Sequence, residues 1–482
     1  MPHNSQNEVV AWLSRPESYG IAGEVTKIET HISIVFLAGE RAYKLKKAIK
    51  FPYLDYSTIE KRREFCEKEV TLNRRTAPEL YIAAEPVRIG GEIKDWVVVM
   101  RRFDSDALFD KLEITPALAR DLADRIAAFH DAAEITPEHG GAATIARVID
   151  GNRRDQENAG LDRDAIAALH AACHAALARN AALLDRRRAA GRVRRCHGDL
   201  HLRNICLYDG KPTLFDGIEF DDAIACIDVL YDLAFLLMDL EHRGRRDLAN
   251  LILNRYLAWH DEIEGVAALP LFMACRAGIR AHTNKDRSYL DLAIRLLQPG
   301  APMLIAVGGL SGSGKSSVAA ALAPFLGVAP GALVPRSDVI RKRLMGIEPE
   351  ARLGSEAYTS EMTGRVYARL RECANIGIRA GYVVIVDAVH ARPEEREAIE
   401  AVADQAGVPF LGLWLEAAPE ALASRVRERE NDASDATVEV VRVQLGYDLG
   451  PIAWRRLDAS QDLAATVARA RKLLTEHQKK AP

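Results

Sequence analysis

The sequence predicts two folded parts: an α+β domain with a sheet lobe followed by a helical lobe, then an α/β domain whose parallel sheet is flanked by helices. Three observations predict it. Apolar positions alternate with period two in the first hundred residues, and the pattern turns helical and alanine-rich from about residue 107 to 194, with helices resuming after short strands through 297. Beyond a proline-glycine linker, apolar strands then alternate with helical segments. At 482 residues the chain also exceeds one core, since single cores stop growing near roughly 250 to 300 residues.

In the sheet lobe, Ile32, Ile34 and Phe36 alternate with Ser33 and Val35, a turn follows at 38–40, and Tyr43 and Leu45 resume the alternation, which predicts a hairpin. Ser57 followed by Glu60 is a capping-box signature, so a helix is expected from there to about Arg75, ahead of Pro78. Residues 96–100 read as a further strand. Short strands are expected to flank 196–215, and the apolar run 229–240, broken by Asp232 and Asp239, reads as a core helix too short to span a bilayer. The arginines at 186–188 and 194–195 read as solvated faces.

Gln298-Pro299-Gly300-Ala301-Pro302 cannot continue a helix and sets the expected boundary: 1–298, with lobes at about 1–105 and 106–298, and 299–482. After it, strands are expected at 303–307, 332–334, 382–386 and 410–415.

Formal net charge is −3, so no overall basic excess draws the chain to nucleic acid. Seven scattered cysteines without a C-x-x-C pair read as reduced thiols. The first twenty residues hold no uninterrupted apolar run. A cytoplasmic protein without a membrane partner is expected.

Gly309-Leu310-Ser311-Gly312-Ser313-Gly314-Lys315-Ser316 matches G-x-x-x-x-G-K-[ST] between an apolar strand and a helix-compatible run that begins with Ser317. Glycines let backbone amides turn toward phosphates, Lys315 neutralises terminal phosphate charge, and the Ser316 hydroxyl can ligate Mg²⁺. Asp387 ends an apolar strand, where a carboxylate can hold that metal or its water. Asp338, in Arg336-Ser337-Asp338-Val339-Ile340-Arg341, can accept a proton from an acceptor hydroxyl or cap a helix. Arg425, Arg427 and Arg429 precede a polar stretch, 430–435, where arginines can close over a transferring phosphoryl group. These residues resemble the small P-loop kinases, a group that includes gluconate kinase, chloramphenicol phosphotransferase and polynucleotide kinase. The resemblance implies Asp338 as base, Arg341 as an acceptor contact, Arg425 and Arg429 as a lid, and ATP with Mg²⁺ as ligands.

Upstream, His197-Gly198-Asp199-Leu200-His201-Leu202-Arg203-Asn204 has the H-x-D-x-x-x-x-N spacing of a kinase catalytic loop, and Asp216 ends the next strand. In that chemistry Asp199 takes the acceptor's proton while Asn204 and Asp216 hold Mg²⁺. Lys44 sits in an A-x-K pattern, with Lys46 on the same strand face, and Glu69 on the following helix is the natural partner for Lys44. Together these residues resemble the aminoglycoside phosphotransferase and choline kinase group of the protein-kinase-like fold. The H-G-D form favours a small-molecule acceptor. The strands before Lys44 carry no G-x-G-x-x-G, which leaves Thr30, His31 or Ser33 to substitute. Glu219, with Asp221 and Asp222, would make an acidic wall for a polycationic acceptor. Asp228 and Asp232 read as buried hydrogen-bonding residues.

The order of the two parts resembles bacterial fusions of an aminoglycoside phosphotransferase-like domain with a P-loop ATP-binding domain. The expected function is a bifunctional ATP- and Mg²⁺-dependent phosphotransferase acting on hydroxyls of small molecules. Two other readings stand beside it. Arg336, Arg341, Lys342 and Arg343 around Asp338 suit a polynucleotide 5′-hydroxyl kinase, and the missing glycines suit an N-terminal ligand sensor that regulates a P-loop ATPase.

Overall fold

The computed structural model describes residues 3–51, 54–428 and 433–478. Two compact units divide the chain: 1–148 with 181–239, and 149–180 with 240–482.

The first unit contains a five-stranded antiparallel sheet. Its strands are β1 (Thr26–Glu29), β2 (Ser33–Ala38) and β3 (Arg41–Lys46), followed after helix α1 (Ile59–Asn73) by β4 (Tyr81–Ile89) and β5 (Glu92–Arg101). The spatial order is β1-β2-β3-β5-β4. Period two sorts the central strand. Tyr43 and Leu45 join Ile34, Phe36, Val97 and Val99 on one face, while Ala42 packs with Cys66 and Val70 of α1 on the other. Lys44 and Lys46 share the face of Ala42 and so point toward α1. Ser33 pairs with Lys46 across the hairpin and is buried with it. The helix begins one residue later than the capping box predicted: Thr58 is the cap, accepting from the Lys61 amide at 3.3 Å.

Two long helices follow, α2 (Gly141–Asn158) and α3 (Arg163–Ala189), and the division between units runs through both. Short ladders then frame the catalytic-loop sequence. β6 (Val193–Arg195) pairs with β9 (Cys226–Asp228), and β7 (Ile205–Tyr208) pairs with β8 (Lys211–Leu214). Helix α4 (Val229–His242) is the core helix expected, with Asp232 and Asp239 buried among its apolar residues. One expectation fails here. Arg187 is not solvated: its guanidinium grips the Asp228 carboxylate through two bonds of 2.7 and 2.8 Å, because a buried carboxylate at the start of α4 demands a cation. Arg195 likewise holds Asp222, at 2.9 Å.

In the second unit, helix α5 (Arg246–Trp259) precedes a parallel sheet. Strand β10 (Met303–Gly308) leads into helix α6 (Lys315–Leu322), and helix α7 (Ser337–Leu344) comes before β11 (Val383–Asp387), β12 (Phe410–Glu416) and β13 (Arg455–Asp458). The order is β11-β10-β12-β13 with every pairing parallel. The strand expected at 332–334 forms only isolated bridges, Leu333 to Val384 and Arg336 to Asp387. Pro335 has no donor to continue a ladder. On the outer side, side chains of α5 replace a neighbouring strand. Asn254 accepts from the Val334 amide at 2.7 Å and donates to the Ala332 carbonyl at 3.1 Å, and Asn250 donates to the same carbonyl at 2.9 Å. These contacts group 240–298 with the parallel sheet in the second compact unit. Among the described residues no helix is long and apolar enough to cross a membrane.

The amide of Asn254 is thus a direct support of the segment that leads to Asp338. Asn254→Leu keeps the volume and strands the Val334 donor, while the Ala332 carbonyl keeps Asn250. A loss of about 1–3 kcal/mol is expected, read as a lower thermal midpoint of the full chain; an unchanged midpoint would mean water satisfies the Val334 amide.

Candidate functional site

Lys44 Nζ lies 2.9 Å from Glu69 Oε1 and also contacts Asp216. The partnership expected of Lys44 and Glu69 is present, and a second lysine joins it. Lys46 donates to Glu69 Oε2 at 2.5 Å and also contacts Glu219. Glu69 is fully buried and Lys46 is 1% exposed. Burial acts most strongly on the Glu69 carboxyl and would raise its pKa, but Lys44 and Lys46 outweigh it and hold the group below its ordinary value. Glu219 departs from its expected acceptor-facing position. It is buried, and Tyr56 Oη donates to it at 2.6 Å beside Lys46, because a second buried lysine requires a second carboxylate. Asp222 is taken by Lys68 and Arg195, and Asp221 caps the short helix that follows it. The acidic wall expected there is therefore engaged internally.

The loop from 197 to 204 is held from below. Asp232 accepts the amides of His197 at 3.1 Å and Gly198 at 2.9 Å, and Asp239 accepts that of Leu202 at 3.1 Å. Gly198 has φ +85°, and a Cβ there would meet Ile218 at 3.0 Å. The His197 ring bonds the Phe215 carbonyl at 2.9 Å, and burial lowers its pKa, which keeps the ring neutral. Asn204 Nδ2 donates to Asp199 Oδ2 at 3.0 Å, so the expected base and ligand do converge. Asp216 adopts φ +62°, with its amide donated to Tyr81 Oη at 3.0 Å and the next amide to Asn73 Oδ1 at 2.7 Å. Both Asp199 and Asp216 keep solvent access, with side chains 35% and 43% exposed. In the turn after β1, the Thr30 hydroxyl accepts the Ser33 amide at 3.0 Å, and His31 is exposed.

In the second unit, the P-loop joins β10 to α6. Gly309, Gly312 and Gly314 have φ +137°, +84° and +89°. A Cβ at Gly309 would lie 2.5 Å from the Leu415 carbonyl oxygen and one at Gly312 2.4 Å from that of Leu422, whereas Gly314 faces open space. Ser316 Oγ donates to Asp387 Oδ2 at 2.5 Å, and Arg336 lies against both, 3.1 Å from the hydroxyl and 3.3 Å from the carboxylate. Lys315 Nζ donates to the Leu310 carbonyl at 3.0 Å. Ser311 and Ser313 are buried within the loop, Ser317 is exposed on the first turn of α6, and Gln444 accepts the Ser311 amide at 2.8 Å.

A cavity of about 1080 Å³ opens over these groups, lined by Gly312, Lys315, Ser316, Asp387, Asp338 and Arg341 among others. Asp338 lies in the first turn of α7, whose cap position belongs to Arg336, so its side chain is not the helix cap. Burial raises its pKa, with Asp387 adding to the effect and Arg336 opposing it. Arg341 reaches the cavity while donating to the Ala357 carbonyl at 2.7 Å, its guanidinium stacked 4.8 Å from the Tyr358 ring centre. Arg425 borders the cavity, with its guanidinium drawn to the Ala459 carbonyl at 2.7 Å. Arg429 lies outside the described residues.

Sequence reasoning missed an anchoring group here. Tyr358 Oη donates to Asp435 Oδ2 at 2.9 Å, and the fully buried Lys342 lies 3.4 Å from Asp435 Oδ1. These residues are far apart in the chain, and no local pattern marks them. Arg343 turns to the Leu257 carbonyl and to Asp261, 3.2 Å away.

Residues 61–269 match the model of a family described as a phosphotransferase enzyme family, and residues 304–447 match one described as an AAA domain. Uncharacterized proteins of Mycobacterium tuberculosis and Mycobacterium bovis are 29% identical over 477 residues, covering 92% of this chain and 94% of theirs. Among solved structures, a choline/ethanolamine kinase family protein from Mesorhizobium loti is 14% identical, with 61% of this chain and 93% of its own covered at a TM-score of 0.38. A gluconokinase from Sinorhizobium meliloti is 24% identical, covering 36% of this chain and 97% of its own at a TM-score of 0.26.

The lysines of β3 differ in what they protect. Lys46→Met would leave Glu69 and Glu219 buried without that cation, and removing one partner of a buried pair costs about 3–5 kcal/mol. Lys44→Met costs less, because Glu69 keeps Lys46 and the other partner, Asp216, reaches solvent. Thermal unfolding of both variants reads the difference; equal midpoints would show that water reaches Glu219.

Proposed function

We propose that this chain, whose residues 61–269 match a phosphotransferase enzyme family and whose residues 304–447 match an AAA domain, is an ATP-dependent phosphotransferase with two transfer centres. Each moves the γ-phosphoryl group of ATP to a hydroxyl of a small molecule. The observation that carries the reading is the single cavity in which the P-loop, Asp387, Asp338 and Arg341 share a wall. It brings phosphate-binding groups and a proton acceptor to one space.

In the C-terminal centre, the P-loop amides and Lys315 hold the phosphates and Asp338 receives the proton of the acceptor hydroxyl. The new bond forms from that oxygen to the γ-phosphorus, and the bond to the bridging oxygen of ADP breaks. Arg341, fixed by Ala357 and Tyr358, orients the acceptor, and Arg425 stands at the rim. Ser316 and Asp387 are the residues that would hold Mg²⁺. They fit it, since two oxygens 2.5 Å apart already face a cationic guanidinium. The ion would neutralise charge on the phosphates.

In the N-terminal centre, Asp199 is the proton acceptor, Asn204 and Asp216 are the groups suited to Mg²⁺, and Lys44, set by Glu69, meets the phosphates. With Glu219 bound to Lys46, selectivity for a cationic acceptor does not rest on that residue. The turn of 30–32 favours a second reading for this half, ligand sensing without transfer, because the Thr30 hydroxyl takes up the Ser33 amide. The internal engagement of Lys342 and Arg343 weighs against a polynucleotide acceptor at the other centre.

Phosphorus NMR and mass-shift screening with ATP, Mg²⁺ and a panel of sugars, aminoglycosides, nucleosides and 5′-hydroxyl oligonucleotides tests the proposal. Asp199→Asn and Lys315→Ala should abolish different products, the loss of a base costing about 10²- to 10⁴-fold. A screen in which only Lys315→Ala matters makes the first half a sensor. The acid limb of the P-loop reaction is expected above pH ~4, the ordinary aspartate value. Burial raises the Asp338 pKa, and the base is lost as pH falls through that raised value. A limb at or below the ordinary value would remove Asp338 from the role.

A further inference from the structure

Among residues that neither centre uses, three side chains of the second unit converge. Asp150 lies on α2, and His170 and His174 lie one turn apart on one face of α3. His170 Nε2 and His174 Nε2 stand 3.0 and 2.9 Å from the same atom, Asp150 Oδ1, and 3.2 Å from each other. No placement of protons on these two nitrogens satisfies all three contacts. With a proton on each, two donors face each other at 3.2 Å. With one or none, a nitrogen lone pair faces the carboxylate oxygen.

A single cation at the centre removes the conflict, because all three atoms then present lone pairs to it. The spacing fits. Zinc–nitrogen and zinc–oxygen bonds of about 2.0–2.2 Å in a tetrahedron place neighbouring ligand atoms about 3.3–3.5 Å apart, and the three separations here, 2.9 to 3.2 Å, need only slight opening. Two imidazoles and one carboxylate are the donor set of a borderline transition metal, not of Mg²⁺ or Ca²⁺. Solvent access is ample, with side chains 22%, 39% and 57% exposed for His170, His174 and Asp150, so an ion can enter and keep a water as fourth ligand.

We propose that Asp150, His170 and His174 form a zinc-class divalent metal site that pins α2 to α3. The rival cluster, His130, Cys196 and Asp232, is buried, and its carboxylate already accepts the amides of His197 and Gly198.

Tag-free full-length protein without nucleotide, dialysed against Zn²⁺ and read by elemental analysis, should hold one equivalent. His170→Gln/His174→Gln should lose it, with Asp150→Asn weakening binding at least tenfold by calorimetry. Added Zn²⁺ should raise the thermal midpoint of the wild type and not of the double variant. Co²⁺ in place of Zn²⁺ should give visible d–d bands in the wild type alone. No bound zinc in the wild type, or an equivalent retained in the double variant, overturns the proposal. Should the double variant misfold, Asp150→Asn decides by itself: unchanged affinity overturns it.

Discussion

A carboxylate with no exposed surface, Glu69, is held between two lysines, and the arrangement of the N-terminal site follows from that charge. Burying it is tolerable only because α1 lays it across the β3 face that carries Lys44 and Lys46. Lys46 then requires Glu219, Glu219 requires Tyr56, and Lys44 turns toward Asp216. A chain of compensations thus ties the sheet to the loop that follows β8. Of the acidic residues after Asp216, which suit a cationic ligand when read in isolation, Glu219 is consumed by that chain, Asp222 by Lys68 and Arg195, and Asp221 by the short helix it caps.

The P-loop unit solves a similar problem with neutral groups. The segment before Asp338 has one edge against β11 and the other against the amides of Asn250 and Asn254. Side chains there do what a strand would do elsewhere, satisfying backbone groups that cannot be left bare. Asp338 is therefore carried on a path fixed from both sides, even though that path is not a strand.

Legibility followed sequence distance. The loop at 197–204 and the P-loop at 309–316 were readable because their chemistry needs residues at short fixed spacings; Lys44 stood out by its place in the A-x-K pattern, since period two puts Lys46 on the same face, and Glu69 by its face of the helix. The Lys46–Glu219 and Lys342–Asp435 pairs join residues with no shared local pattern, so nothing nearby announces them. Arg187 looked solvated within an arginine run, and only the burial of Asp228 explains its place. The edge strand β13 was missed because Arg455-Arg456-Leu457-Asp458 buries one side chain and offers no alternation. The family matches at 61–269 and 304–447 cover the motifs, and neither follows the division into compact units.

That division has a consequence for synthesis. The first unit takes its final segment from 181–239, and the second takes its initial segment from 149–180, so the two are interleaved along the chain. A ribosome releases 149–180, the middle of the two long helices, before residues 181–239 complete the first unit and before the rest of the second, 240–482, exists. Neither unit corresponds to one continuous stretch of message.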